Sequence, residues 1–122
     1  MAAVHTRDTG AEMEVRSIVH GLGYRYSLKR NDLPGRPDLT LVSRKKVIFV
    51  HGCFWHGHFC RFGRLPKSRL DYWQPKIAEN MTRDRRQARR LRQSGWSVMT
   101  VWQCQLKRKV ALIARIRSFI GE

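Results

Sequence analysis

The run Val47-Ile48-Phe49-Val50 restricts the fold of this chain more than any other segment. It is apolar without a break and rich in β-branched residues, so as a strand it must be covered on both faces. Such a strand lies inside a sheet with further layers above and below it, which points to an α/β arrangement. The flanking sequence supplies those layers. Ala11, Val15, Ile18, Val19 and Leu22 follow helical spacing behind Thr9-Gly10-Ala11-Glu12, which has capping-box form, and Gly21 and Gly23 supply stops. Tyr24, Tyr26 and Leu28 alternate with polar residues and predict a strand. Residues 31–37 hold two prolines and a glycine and predict a turn. A second strand is expected over 38–42, joined by a basic hairpin at 43–46 to the apolar run.

Residues 71–93 predict a long helix with Trp73, Ile77, Met81, Ala88 and Leu91 on one side, provided Pro75 falls in its first turn. Ser94-Gly95 ends it. Trp96, Val98, Thr100 and Trp102 form an alternating strand that delivers Cys104, and residues 110–120 close the chain as a short helix. The expected order is α-β-β-β-loop-α-β-α, a small mixed sheet flanked by helices. With no repeat or linker in its 122 residues, the chain reads as a single domain over 1–122.

Twenty-five Lys and Arg stand against nine Asp and Glu, a net charge of +16. Such a field repels itself unless a polyanion lies against it, and nucleic acid is the expected one, bound in a strongly salt-dependent way. A generic basic surface or an anionic membrane patch is the alternative, but no amphipathic Lys-rich helix dominates the basic residues. No apolar run approaches the roughly 20 residues of a membrane span. Met1 to Gly10 is polar and lacks the apolar core of a secretory signal. Three cysteines are an odd number, which suits a reducing compartment such as the cytoplasm.

Those cysteines fall in a pattern. Cys53, His58 and Cys60, joined by the distant Cys104, offer three thiolates and an imidazole, a set that holds structural Zn²⁺ tetrahedrally. From spacing alone His56 competes with His58 as the fourth ligand, and the cysteines could instead be small buried hydrophobes. A second constellation is acidic and basic. Pro37-Asp38 opens one strand and His51 ends the next, so pairing of the two would set position 38 opposite about 50 or 51. A hard Asp oxygen suits Mg²⁺, and with a nearby His it suffices for phosphodiester hydrolysis. Pro-Asp is also a common turn pair.

Three segments, Asp32-Leu33-Pro34-Gly35-Arg36-Pro37-Asp38, the run from Val47 through His51-Gly52-Cys53-Phe54-Trp55-His56-Gly57-His58-Phe59-Cys60, and Gly95-Trp96 to Trp102-Gln103-Cys104, resemble the very short patch repair (Vsr-type) DNA mismatch endonucleases. The resemblance covers nearly the whole chain and implies a restriction-endonuclease-like αβββαβ core. It also implies a Mg²⁺-dependent nick beside the thymine of a T·G mismatch left by deaminated 5-methylcytosine. By the same resemblance Asp38 binds Mg²⁺ together with the main-chain carbonyl of Val50. His51 and Glu12 hold the waters of that ion, and His56 transfers a proton at the scissile phosphate. Cys53, His58, Cys60 and Cys104 align with structural zinc ligands, which selects His58 over His56. Phe54, Trp55 and Trp73 resemble the aromatic wedge that enters the base stack beside the mismatch.

Each of these roles has a structural rival. Glu12 can complete the capping box with Thr9, Phe54 and Trp55 can be core residues, and Trp73 lies on the stripe of a helix. Lys76, Arg83, Arg85, Arg86, Arg89, Arg90 and Arg92 read as a solvated helix face, some of it touching phosphate. The chain also departs from the family pattern. Val50 replaces a common Thr, Gln103 replaces a usual Glu, and the start falls about a dozen residues later than in longer members. The broader nuclease signature (D/E)-x-K is absent, because residues 47–50 are wholly apolar. The expected protein is a monomeric nicking enzyme acting on mismatched duplex DNA, with other mismatch-repair proteins as further partners. A mismatch-independent nuclease and a zinc-stabilised DNA-binding module without hydrolysis are the alternatives.

Overall fold

In the computed structural model, which describes residues 10–28, 30–53 and 70–121, helix α1 (Gly10–Gly21) leads into β1 (Ser27–Leu28), β2 (Leu39–Leu41) and β3 (Lys46–His51). Helix α2 (Leu70–Gln93), β4 (Ser97–Trp102) and α3 (Lys109–Gly121) follow. The strands form one mixed sheet in the order β1-β2-β3-β4, antiparallel except for the parallel β3–β4 pair. The expected element order holds among the described residues. Thr9, the capping end of the expected capping box, lies outside them.

β3 is the interior strand that its composition demands, with Lys46 to Phe49 and His51 all buried. Its alternate residues feed two cores. Ile48 joins Leu39, Leu41, Met99 and Val101 under α1 (Val15, Val19) and α3 (Leu112, Ile116, Ile120). Val47 and Phe49 face the other way and pack with Leu91 of α2, with Leu33, Trp96 and Val98 at the margin. Helices on both faces thus cover the sheet.

Several boundaries differ from expectation. β1 is only Ser27–Leu28, both exposed, so Tyr24 and Tyr26 pack against the first core from the approach to the strand. The β2–β3 connection is a 3₁₀ turn, Val42–Arg44, with Lys45 left-handed at φ 56°, and Lys46 belongs to the strand. Lys46 is buried because its ammonium has a use there. It donates to the carbonyl of Phe119 while Arg44 donates to that of Ile120, so two cations cap the end of α3, where unpaired carbonyls and the helix dipole favour positive charge. Pro75 is the sixth residue of α2, one turn later than expected, where it leaves the carbonyl of Asp71 without its helical donor. Cys104 follows β4 in a 3₁₀ turn, Gln103–Lys107, in which the Gln105 side-chain oxygen accepts from the Trp102 N–H at 2.9 Å.

Candidate active site

The local chemistry of residues 30–38 delivers Asp38 to the sheet. Arg30 grips Asp32 through two contacts, 3.0 and 2.8 Å, which hold the Asp32 carboxyl below its ordinary range, while Asp38 is carried on to the start of β2. The N–H of Arg36 donates to the carbonyl of Leu33 at 3.1 Å, closing a turn with Pro34 second and Gly35, at φ 77°, third. Those are the type II positions for Pro and Gly. A Cβ on Gly35 would stand 2.8 Å from the Gln87 side chain and 3.2 Å from Phe49, so only glycine lets the turn lie this close to α2 and β3.

β2 and β3 pair with Leu39 opposite Ile48 and Leu41 opposite Lys46. Continued by one residue, that register puts Asp38 opposite Phe49, not opposite 50 or 51 as expected. The connecting turn begins and ends one residue earlier than the sequence suggests, and a hairpin loop displaced by one residue moves every cross-strand partner by two. A shift of two keeps the face. Asp38 therefore still shares the α2 side of the sheet with Phe49 and His51, and its Oδ2 accepts the Val50 N–H at 2.6 Å. Asp38 and His51 line one cleft of about 450 Å³ together with Gly35, Arg36, Phe49, Val50, Arg83, Asp84 and Gln87.

The His51 ring is set from several sides. It lies 5.6 Å from the Phe49 ring and 5.3 Å, edge-on, from Trp102, its parallel-strand partner. Its Nδ1 stands 4.0 Å from Asp84 Oδ2, too far for a direct hydrogen bond. Asp84 was not foreseen, although it left a trace. The inward stripe of α2 runs 77, 81, 84, 88, 91, and an acid stands where the spacing calls for an apolar residue, amid arginines. Its neighbour Arg83 contacts it at 3.5 Å. The basic face of α2 is exposed as expected, at Lys76, Arg83, Arg85, Arg86, Arg89, Arg90 and Arg92 alike. Arg83 lines the Asp38 cleft, and Arg85, Arg89 and Arg92 line an adjoining hollow of about 630 Å³ that shares Phe49, His51, Asp84 and Gln87.

Glu12 is buried on the first turn of α1, 3.5 Å from Arg16, and is not among the residues lining either hollow. Trp73 is half-buried, edge-to-face with the exposed Tyr72 at 4.9 Å. Phe54, Trp55, His56, His58 and Cys60 lie outside the described residues. Of the expected zinc ligands, Cys53 is buried and Cys104 half-buried. Each stands two residues beyond the His51–Trp102 pair that ends the parallel ladder, so both thiols emerge at the same end of adjacent strands. Among the described residues no group of three or more His, Cys, Asp and Glu side chains stands close enough to hold a metal.

What is present fits both ions in kind. Paired thiols at one sheet end are half of a structural zinc set. A carboxylate lining an open cleft suits Mg²⁺, which takes few protein ligands.

In the solved structures, the catalytic domain of the homing endonuclease I-Bth0305I superposes with a TM-score of 0.64 over 92% of this chain and 94% of its own, at 18% identity, which shows a shared fold. The type II nicking enzyme V.XorIIP of Xanthomonas oryzae pv. oryzae is 54% identical over 98% of this chain and 88% of its own length. The DNA mismatch endonuclease Vsr of Escherichia coli is 43% identical over 88% of this chain and 69% of its own. Residues 1–62 match the family profile described as DNA mismatch endonuclease Vsr. With its acid and imidazole on one cleft of a nuclease fold, the chain belongs to the Vsr family of DNA mismatch and nicking endonucleases.

Proposed function

We propose that this protein nicks one strand of duplex DNA beside the thymine of a T·G mismatch by Mg²⁺-dependent hydrolysis. The observation that carries the reading is the meeting of Asp38 and His51 on one cleft, with the Asp38 carboxylate anchored by the Val50 N–H. Asp38 and the Val50 carbonyl would hold the magnesium, which when bound neutralises phosphate charge and favours attack on phosphorus. In the hydrolysis a water oxygen bonds to phosphorus and gives up a proton, the bond to the departing strand oxygen breaks, and that oxygen takes up a proton. Family resemblance assigns proton transfer at the scissile phosphate to His56. His51, held by Phe49, Trp102 and Asp84, orients water in the cleft. Cys53, His58, Cys60 and Cys104 would hold a zinc that fastens the end of β3 to the end of β4. Phe54, Trp55 and Trp73 would enter the base stack, where a mispaired step already resists unstacking less. No helix among the described residues is long and apolar enough to cross a membrane. The proposed setting is a monomer on chromosomal DNA in the bacterial cytoplasm.

The test is incubation with Mg²⁺ and end-labelled duplexes carrying T·G or T·A at one position. A cut confined to one strand of the T·G duplex is expected. Equal cutting of both duplexes would show a mismatch-independent nuclease, and binding without any cut would show a DNA-binding module.

Asp84 acts in this scheme through His51 and is a positioning residue. Asp84→Asn is expected to lower kcat on the order of tenfold with KM little changed, since the imidazole loses the charge that orients it but the DNA contacts remain. A change confined to KM would place Asp84 in substrate binding instead.

A further inference from the structure

Arg36 is a non-glycine residue in the left-handed region, at φ 48°, and a bulky side chain there is an outlier. The turn before it explains Gly35, but nothing in the packing explains an arginine. Its side chain is exposed, and among the described residues no ion pair involves it, whereas the neighbouring cations are engaged: Arg30 with Asp32, and Arg83 with Asp84. It nevertheless lines the same cleft as Asp38 and His51. Glycine is easier to hold in this conformation, so the fold alone favours losing the side chain. The balance reverses if the guanidinium has a ligand that comes from outside.

We propose that Arg36 is a phosphate-binding residue of the active cleft, its guanidinium taking the non-bridging oxygens of a backbone phosphate of the strand laid against Asp38. A planar fork of donors matches a phosphate, and an arginine free of carboxylate partners can offer all of it. Two features hold it in place. Pro37 follows immediately and restricts the backbone, and Gly35 is pressed against Gln87 and Phe49, so the residue projects from a braced turn. Its neighbour two positions on is Asp38, which ties the phosphate contact and the acid to one short stretch of chain. This inference rests on the proposed DNA-cleaving role and adds to it the residue that seats the strand.

The experiment compares wild type with Arg36→Gly, Arg36→Gln and Arg36→Lys, using a fluorescent T·G duplex in Mg²⁺. Anisotropy is read across a salt series, together with nicking kinetics and thermal unfolding. Arg36→Gly is expected to unfold within a few degrees of wild type, because glycine suits φ 48°. Its kcat/KM should fall about 10–100-fold, and its slope of log affinity against log salt should be shallower by roughly 0.9, one phosphate contact. Arg36→Gln should lose the same contact. Arg36→Lys should restore the salt slope while recovering only part of kcat/KM, because an ammonium keeps the charge without the fork.

Unchanged slope and kcat/KM in Arg36→Gly would overturn the assignment. So would a large loss of stability that accounts for the lost activity, which would make the arginine structural. If wild type binds the duplex without nicking it, the functional reading fails while the slope comparison still decides the role of Arg36. If wild type binds no duplex, both fail.

Discussion

Asp38→Asn is expected to reduce nicking of a mismatched duplex by about 10³-fold or more while the protein stays folded and bound to DNA. Asparagine keeps a side-chain oxygen in the same place, so the Val50 N–H that donates to Asp38 at 2.6 Å retains its acceptor and the end of β3 is not disturbed. What is lost is the negative charge, and with it the ability to hold a hard dication at the cleft. Binding should be unchanged or slightly tighter, because the substitution adds one positive unit to a chain already at +16 facing a polyanion. Two measurements decide it: gel-resolved nicking rates in saturating Mg²⁺, and duplex affinity in the same buffer. Nicking at the wild-type rate would remove Asp38 from the mechanism. Loss of binding together with nicking would mean that the carboxylate supports the fold rather than the reaction.

Cys104→Ser should show the largest effect on stability. The zinc proposed at Cys53, His58, Cys60 and Cys104 would join the ends of two neighbouring strands whose ladder closes at the His51–Trp102 pair. Its removal would loosen that end of the sheet, where Trp102 also packs on His51. Serine conserves the volume but is a poor zinc ligand, so the expected outcome is loss of stoichiometric zinc with about 3 kcal/mol or more of stability. For a domain of this size that is a fall in Tm of roughly 10 °C or more. Elemental analysis and thermal unfolding of wild type and variant read both quantities. Purified wild type that contains no zinc yet nicks DNA would contradict the assignment. The two substitutions also separate the two metals, because Asp38→Asn should leave zinc content at the wild-type value.

The residues behind these two predictions were reached by different routes. Val47 to Val50 announced an interior strand because an unbroken apolar run has no stable place at a surface, and α1 and α2 declared themselves through 3.6-residue spacing. Asp38, His51 and the cysteines stood out as residue types that can ligate metal ions or carry protons. The excess of cations pointed to a polyanion before any fold was known.

Local pattern could not supply the meeting of those parts. Whether the β2–β3 turn starts at Val42 or Ser43 is nearly neutral for propensity, yet it decides whether Asp38 lies opposite Phe49 or His51. Asp84 reads as a flaw in the stripe of α2 until the helix is laid across the sheet and its carboxylate comes to His51. Arg36 is one arginine among many until the turn is folded and its φ and its place in the cleft are known. Periodicity determined which elements form and which faces they bury, because those depend on neighbours within a few residues. Register, helix placement and the convergence of side chains on the cleft depend on contacts between segments far apart in the chain, and only the packed structure decides them.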